Sequence, residues 1–147
     1  MSDTALRDEL LDPSTRPWVV TDLDHAVATQ VKATTGISGA AVRTGYGLAQ
    51  RVRPTFVADA INHLLPEFAA ALQPWWEDYP GTGGFGAFLA ADGPAVAEAL
   101  LQVTDRSAEA SRREALRRAY HSLRGRAAKL VTNALPAVGD VIERHAS

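Results

Sequence analysis

The chain has 147 residues, a length that suits one domain with a substantial core. It is 46% hydrophobic and 22% charged with a net charge of −2, and it has no cysteine, which excludes disulfides and thiolate chemistry. No apolar run approaches the roughly 20 residues of a membrane span, and the acidic amino terminus lacks the features of a signal peptide. We therefore expect a cytoplasmic protein without a membrane partner.

In the first part of the chain, prolines mark where predicted helices begin and glycines mark where they end. A short helix in residues 4–11 precedes a second one that opens near Pro17 and stops at Gly36. A third helix stops before Pro54, because a residue that precedes proline disfavours helical geometry. We treat residues 1–12 as a short N-terminal helix or tail and residues 13–147 as a single helical domain.

An apolar stripe in residues 57–79 gives the clearest helical pattern. Its members recur at steps of three or four residues, so they share one face of an α-helix: Val57, Ile61, Leu64, Phe68, Leu72, Trp75 and Tyr79. Pro66 and Pro74 fall inside this stripe. Because proline removes an amide donor and clashes with the preceding turn, the sequence predicts two or three short helices here instead of one.

The remainder of the chain is also predicted to be helical. A short helix follows the glycine-rich loop, and Pro94 begins another. Helical spacing then continues through Gly125, which predicts one long helix ending at Leu135 and a last short helix after Pro136. The long helix should bury Leu116, Tyr120, Leu123, Leu130 and Val131. No segment alternates as a strand does, so the predicted fold is all-α, a compact bundle of about seven or eight helices without a sheet.

Most of the excess positive charge lies in one late segment. Residues 1–105 carry 6 basic and 13 acidic side chains, whereas residues 106–129 carry 8 basic and 2 acidic ones. We define a basic face by Arg113, Arg117, Arg118 and Arg124. The pI of about 6.1 argues against an autonomous nucleic-acid binder. We expect the arginines to act within the protein or its assembly, with Arg113, Arg117 and Arg124 on the side away from the core.

The first candidate for a binding surface is a group of aromatic residues around the glycine loop, comprising Trp75, Trp76, Tyr79, Phe85 and Phe88. Rings give contact area at small entropy cost, and the four glycines in residues 81–86 would let the loop adjust around a partner. The alternative is that these rings complete the core. In that case the helix with Gly39, Gly45 and Gly47 becomes the next candidate, since helical glycines often mark close approach by another helix.

Two patterns that resemble enzyme or metal sites lack the necessary context. The segment GTGGFG has the glycine spacing of a dinucleotide fingerprint, but a predicted helix precedes it where a strand is required. Asp59, His63 and Glu67 follow at steps of four residues, but Pro66 is predicted to break their helix. The sequence therefore predicts no catalytic residue, no metal site and no cofactor.

A series of segments is distinctive when the segments are taken together, among them GISGAAVRTGYG, LLPEFAAALQPWWEDY and RRAYHSLRGRAAKLV. In this order they resemble a family of small actinobacterial all-helical proteins of unknown function. The similarity covers nearly the whole chain from about residue 12. It implies a stand-alone domain, but no reaction, cofactor or site residue.

Three functions remain compatible with these observations. We favour a non-enzymatic module that binds a protein partner or forms a homo-oligomer, because exposed aromatic or small-residue faces are all that it requires. The first alternative is a helical carrier that holds an apolar small molecule in its core. The second is an enzyme of unrecognised type.

Overall fold

The computed structural model describes residues 5–146, apart from the side chain of Ser38, and it consists of α-helices. In chain order they are α1 (Leu6–Leu10), α2 (Arg16–Ala33), α3 (Gly36–Val52), α4 (Phe56–Asp78), α5 (Phe85–Ala91), α6 (Gly93–Ala110) and α7 (Glu114–Ala146). The described range contains seven helices and no strand, so the predicted all-α fold of about seven or eight helices is confirmed. Residues 1–4 of the predicted N-terminal segment lie outside the described residues.

The core forms where α1, α2, α4 and α5 meet the carboxyl-terminal half of α7. Its most deeply buried side chains include Leu65 and Leu72 of α4, Phe85 of α5 and Leu135 of α7. Helix α1 belongs to the same core, since Leu6 and Leu10 are fully buried. The Leu6 amide also donates a hydrogen bond of 2.7 Å to the side-chain oxygen of Gln73, which ties α1 to α4.

Helix α4 runs through both of its internal prolines, so the prediction of two or three short helices is wrong. Pro66 leaves the carbonyl of Asn62, four residues earlier, without its helical donor. Arg16 of α2 supplies the missing donor, with its Nη2 2.6 Å from the Asn62 carbonyl oxygen and its Nε 2.8 Å from the Asn62 side-chain oxygen. Pro74 similarly frees the carbonyl of Ala70, but Ala70 is exposed and water can satisfy it. The missing helical bonds are therefore compensated without a break.

Helix α7 also continues through its proline, so the predicted end at Leu135 and the separate last helix are wrong. The segment beyond Pro136 buries Val141 and Ile142 in the core. The side chains that were expected to be buried are only half-buried: Leu116, Tyr120, Leu123, Leu130 and Val131. The deepest packing of α7 therefore lies in residues 134–146, beyond all five of the predicted positions.

Helices α5 and α7 cross with their backbones in contact at Gly86 and Gly139. A Cβ atom added to Gly139 would collide with Gly86 and lie 2.8 Å from the carbonyl carbon of Phe85. A Cβ on Gly86 would in turn lie 2.9 Å from the carbonyl carbon of Pro136. These distances are shorter than real side chains tolerate, so the crossing requires glycine on both helices.

None of the helices in the described range has both the length and the apolar character that crossing a membrane requires.

Candidate functional site

Four of the predicted aromatic residues form a cluster where α4, α5 and α7 meet. The Phe85 ring centroid lies 5.0 Å from that of Trp76, edge to face, and 5.3 Å from that of Tyr79. The Phe88 ring lies 5.5 Å from that of Tyr79. Phe85 is fully buried and Tyr79 is 9% exposed, whereas Trp76 and Phe88 are half-buried. Most of this ring surface is therefore used in packing within the chain.

Trp75 lies beside the cluster and is also half-buried. Its indole N–H donates a hydrogen bond of 2.9 Å to Oδ2 of Asp92, at the junction of α5 and α6. The polar edge of this tryptophan thus already has a partner inside the protein, although part of the ring remains accessible.

Glu143 of α7 holds the glycine loop against the core. Its carboxylate accepts a 2.5 Å hydrogen bond from the Tyr79 hydroxyl and a 2.9 Å bond from the Phe85 amide. The Gly84 amide donates to the same Tyr79 oxygen at 3.1 Å. The bond to Glu143 raises the pKa of Tyr79, because the carboxylate holds the hydroxyl proton. The loop is therefore anchored at its carboxyl-terminal end.

Glu143 was not among the residues predicted from the sequence. One sequence feature could have indicated it: Glu143 lies between Ile142 and Ala146, two apolar residues at helical spacing that are both buried. The loop glycines have a conformational role of their own, since Gly81, Gly83 and Gly84 adopt φ angles of 87°, 88° and 90°. Residues other than glycine rarely adopt positive φ angles, so the turn in this loop depends on these glycines.

The predicted basic face divides into arginines with and without acidic partners. Arg124 lies against α6, where its guanidinium is 2.7 Å from Glu98 Oε2 and 3.0 Å from Asp105 Oδ2. Its expected position away from the core is therefore wrong, because the two carboxylates of α6 draw it inward. On the surface, Arg118 pairs with Glu114 at 2.8 Å.

The two other arginines of this face, Arg113 and Arg117, differ in exposure. Arg113 is exposed, as expected. Arg117 is half-buried and donates a hydrogen bond to the carbonyl of Ser111. Neither has an acidic partner in the described structure. The four arginines of the basic face therefore do not share one kind of interaction.

A second polar network joins α6 to α7 around Asp105. Its carboxylate accepts a 2.5 Å hydrogen bond from the Tyr120 hydroxyl, in addition to the bonds from Arg124. Chiefly because of Arg124, and then because of Tyr120, the pKa of Asp105 lies below its usual value. Burial, followed by the bond to Asp105, raises the pKa of Tyr120. This network explains why Tyr120 is only half-buried.

The end of α7 is tied to α2 by a third network. Nε2 of His145 lies 2.7 Å from Oδ2 of Asp22, and Nη2 of Arg144 lies 3.4 Å from the same oxygen. The hydrogen bond with His145 is the main cause of the lowered pKa of Asp22. A cationic side chain at this position is also favoured by the dipole at the carboxyl end of the helix.

We expect the free energy of unfolding to decrease as the pH falls from 5 to 2, partly through Asp22. A lowered folded-state pKa means that this carboxylate contributes stability above its ordinary pKa near 3.8 and loses it as the pH falls through the lower folded value. Ordinary histidines are already protonated in this window, so the carboxylates dominate. Asp22→Asn should cost about 0.2–1 kcal/mol at pH 5 and less at pH 2.

Urea unfolding at a series of pH values, followed by circular dichroism, measures this effect. The control is Asp24→Asn on the same helix, because Asp24 has no ion pair in the described structure. If Asp22→Asn and the parent differed equally at pH 5 and pH 2, the role assigned to this carboxylate would be wrong.

Helix α3 exposes a line of apolar side chains. Ile37 is 87% exposed, Leu48 is 53% exposed and Val52 is 48% exposed. Their separations of 11 and 4 residues place them along one side of the helix. We call these three residues the α3 stripe.

The adjoining face of α3 packs on α7 through a small residue. A Cβ on Gly45 would lie 2.5 Å from Cδ1 of Leu123, so this glycine permits the two helices to approach closely. Gly39 has a different role, because its Cβ would lie 2.7 Å from the carbonyl carbon of Thr34 at the start of the helix. Gly47 has no atom within 4 Å of the corresponding position. The glycines predicted from the sequence thus identify the helix, but they do not identify the exposed stripe.

The described structure also has a groove of about 410 Å³ between α6 and α7. Apolar side chains and two charged ones line it, including Ala97, Leu101, Ala128, Glu98 and Lys129. Glu98 is already engaged by Arg124. If the protein were a small-molecule carrier, the first alternative function, this groove would be the place to bind the molecule.

The row of Asp59, His63 and Glu67 lies on an unbroken helix, contrary to the predicted break at Pro66. Asp59 nevertheless pairs with Arg53 at 2.8 Å and accepts a 3.0 Å hydrogen bond from Thr55. Within residues 5–146, no group of three or more histidine, aspartate or glutamate side chains is placed to hold a metal ion.

The fold and these surfaces define an all-α protein that is built around α7 and exposes an apolar stripe on α3. The chain belongs to DUF6918, a protein family of unknown function whose profile matches residues 6–146. The resemblance to a family of unknown function is thereby confirmed. Comparison with the curated proteins and with the solved structures gave no match.

Proposed function

We propose that this protein is a non-enzymatic interaction module and that the α3 stripe is its contact surface. The observation that supports this function is the alignment of Ile37, Leu48 and Val52 on one side of a single helix. Isolated exposed apolar residues are common, but an aligned set forms the kind of surface that binds a partner. Burial of these side chains in a complex would contribute favourable free energy through the hydrophobic effect.

The dimensions of the stripe fit a partner helix. Ile37 and Val52 are 15 residues apart, which corresponds to about 22 Å along an α-helix. Ala41 and Thr44 lie between the larger side chains on the same side of α3. These small residues would allow a helix to approach closely, so a helix-to-helix contact of about four turns is the geometry that we propose.

The aromatic cluster supports this function less well than the α3 stripe does. Phe85 and Tyr79 are buried, and the Tyr79 hydroxyl and Trp75 indole already have hydrogen-bond partners within the chain. The accessible parts of Trp75, Trp76 and Phe88 would therefore add to a contact without providing its centre.

Site-specific photo-crosslinking in the source cells tests the proposed function. A photoreactive phenylalanine analogue at position 48 should give a discrete protein adduct, and Ile37→Ser in the same chain should reduce its yield at least fivefold. The matched control places the analogue at position 18, because Trp18 is 64% exposed but lies on α2. The mass of the adduct distinguishes a second copy of this chain from another protein. Equal adduct yields from positions 48 and 18, or no adduct at all, would rule out the α3 stripe as the contact surface.

A further inference from the structure

We infer that the α3 stripe binds an amphipathic helix of another protein, one whose apolar face is bordered by acidic residues. This inference rests on the proposed function and adds the chemical class of the partner. It follows from the charges on both sides of the stripe.

Helix α3 contributes positive charge without any negative charge. Residues 36–53 contain three arginines and no aspartate or glutamate. Arg43 donates to the carbonyl of Thr34, and Arg53 pairs with Asp59 at 2.8 Å. Arg51 is exposed and has no ion pair in the described structure. Because Arg51 follows Leu48 by three residues, it lies directly beside the stripe on the helix surface.

Helix α7 contributes positive charge on the other side, where Gly45 packs against Leu123. One turn beyond Leu123 lies Arg126, which is exposed and has no ion pair among the described residues. Residues 112–129 hold seven basic side chains and one acidic one. Within residues 5–146, Arg118 and Arg124 are the members of this group that have acidic partners. The first half of α7, which packs on α3 at Gly45, therefore carries positive charge that the described part of the chain does not neutralise.

An apolar stripe that adjoins Arg51 and lies on a helix packed against the basic first half of α7 is complementary to a helix with apolar residues flanked by carboxylates. The apolar contact would provide most of the affinity, while the charge pairs would set orientation and accelerate association. Partner helices commonly dock in this manner, with their apolar residues at helical spacing.

The same charges disfavour other occupants. A symmetric pairing of α3 with α3 of a second copy would join two helices that each carry arginines and no acid. A nucleic acid would engage the arginines through its phosphates but would leave Ile37, Leu48 and Val52 in water. Helices that lie on membranes present a broad apolar face, whereas Thr44 lies within this stripe.

Two designed helical peptides with identical leucine positions test the inference, one with glutamates beside the leucines and the other with lysines. Fluorescence anisotropy with the full-length protein should show at least tenfold tighter binding of the glutamate peptide at low salt. The preference should decrease as salt increases, because salt screens exposed charges. The combined change Arg51→Glu and Arg126→Glu should reverse the preference. A matched control, Arg112→Glu and Arg113→Glu, should change it much less, because these residues precede α7 and lie 11 and 10 residues before Leu123.

The outcomes separate this inference from the proposed function. If both peptides bound equally and Ile37→Ser with Leu48→Ser abolished both, the stripe would remain a contact surface but the acidic partner would be excluded. Binding of neither peptide at 100 µM, or tighter binding to anionic vesicles or duplex DNA than to the glutamate peptide, would also overturn the inference. Circular dichroism of every variant checks that the fold is retained.

Discussion

Gly139→Ala is expected to destabilise the protein by more than about 3 kcal/mol, which exceeds the usual cost of overpacking because the obstructing atoms are backbone. The new methyl group would collide with Gly86 and approach the carbonyl carbon of Phe85 to 2.8 Å. Side-chain rotation cannot relieve this overlap, so α5 would have to move away from α7. The thermal midpoint should fall by roughly 10 °C, given the usual relation between stability and melting temperature for a domain of this size.

The control for this prediction lies on the same helix. Gly125 is exposed and has nothing within 4 Å of the position where a Cβ would be placed. Gly125→Ala should therefore stabilise the protein by about 0.5–1 kcal/mol, since alanine favours helices more than glycine does. Thermal unfolding followed by circular dichroism compares the two variants. A midpoint for Gly139→Ala within 2 °C of the parent would show that the backbone crossing is not as close as described.

Phe85→Ala is expected to cost about 3–5 kcal/mol, the range for removing a buried aromatic side chain. Phe85 is fully buried, and its ring packs against Trp76, Tyr79 and Phe88. Removing it would leave a cavity beside the glycine loop and expose Trp76 to water. Urea unfolding measures the loss, and a red shift of tryptophan fluorescence in the native state reports the cavity.

Ile37→Ala provides the contrast, because it removes an apolar side chain that is 87% exposed. Its effect on the free energy of unfolding should stay within about 0.5 kcal/mol. If it destabilised the isolated protein as strongly as Phe85→Ala does, Ile37 would be part of the core, and the α3 stripe could not be a free contact surface.

The helices themselves were predictable because apolar spacing is a local property. The continuation of α4 through Pro66 and of α7 through Pro136 was not predictable, because the compensating interactions are distant in sequence or depend on tertiary packing. Arg16, 46 residues before Asn62, supplies the donor that Pro66 removes. Beyond Pro136, the burial of Val141 and Ile142 favours continuation of the helix. A prediction that considers only the residues next to a proline cannot include the hydrogen bond from Arg16 or the burial of Val141 and Ile142.

The grouping of the aromatic residues could be predicted because they are close in sequence, but their burial depends on a later part of the chain. Gly139 and Glu143 of α7 bring α5 and the glycine loop against the core. Phe85 is buried by the segment of α7 around Gly139 and Glu143, which the sequence pattern did not identify as the most buried part of that helix. The α3 stripe was not predictable for a related reason, since the path of α7 decides which side of α3 is covered.

The hydrogen bonds from Arg16 to Asn62 also have a consequence for the order of folding. The Asn62 carbonyl has a donor from the protein only after α2 has docked, and before then water alone can satisfy it. An isolated peptide of residues 56–78 should therefore be less helical at this point. We therefore expect the continuous α4 to form fully only together with the tertiary structure. The amides around Pro66 should consequently exchange with deuterium at the rate at which α2 detaches, which makes them a local reporter of cooperativity in this fold.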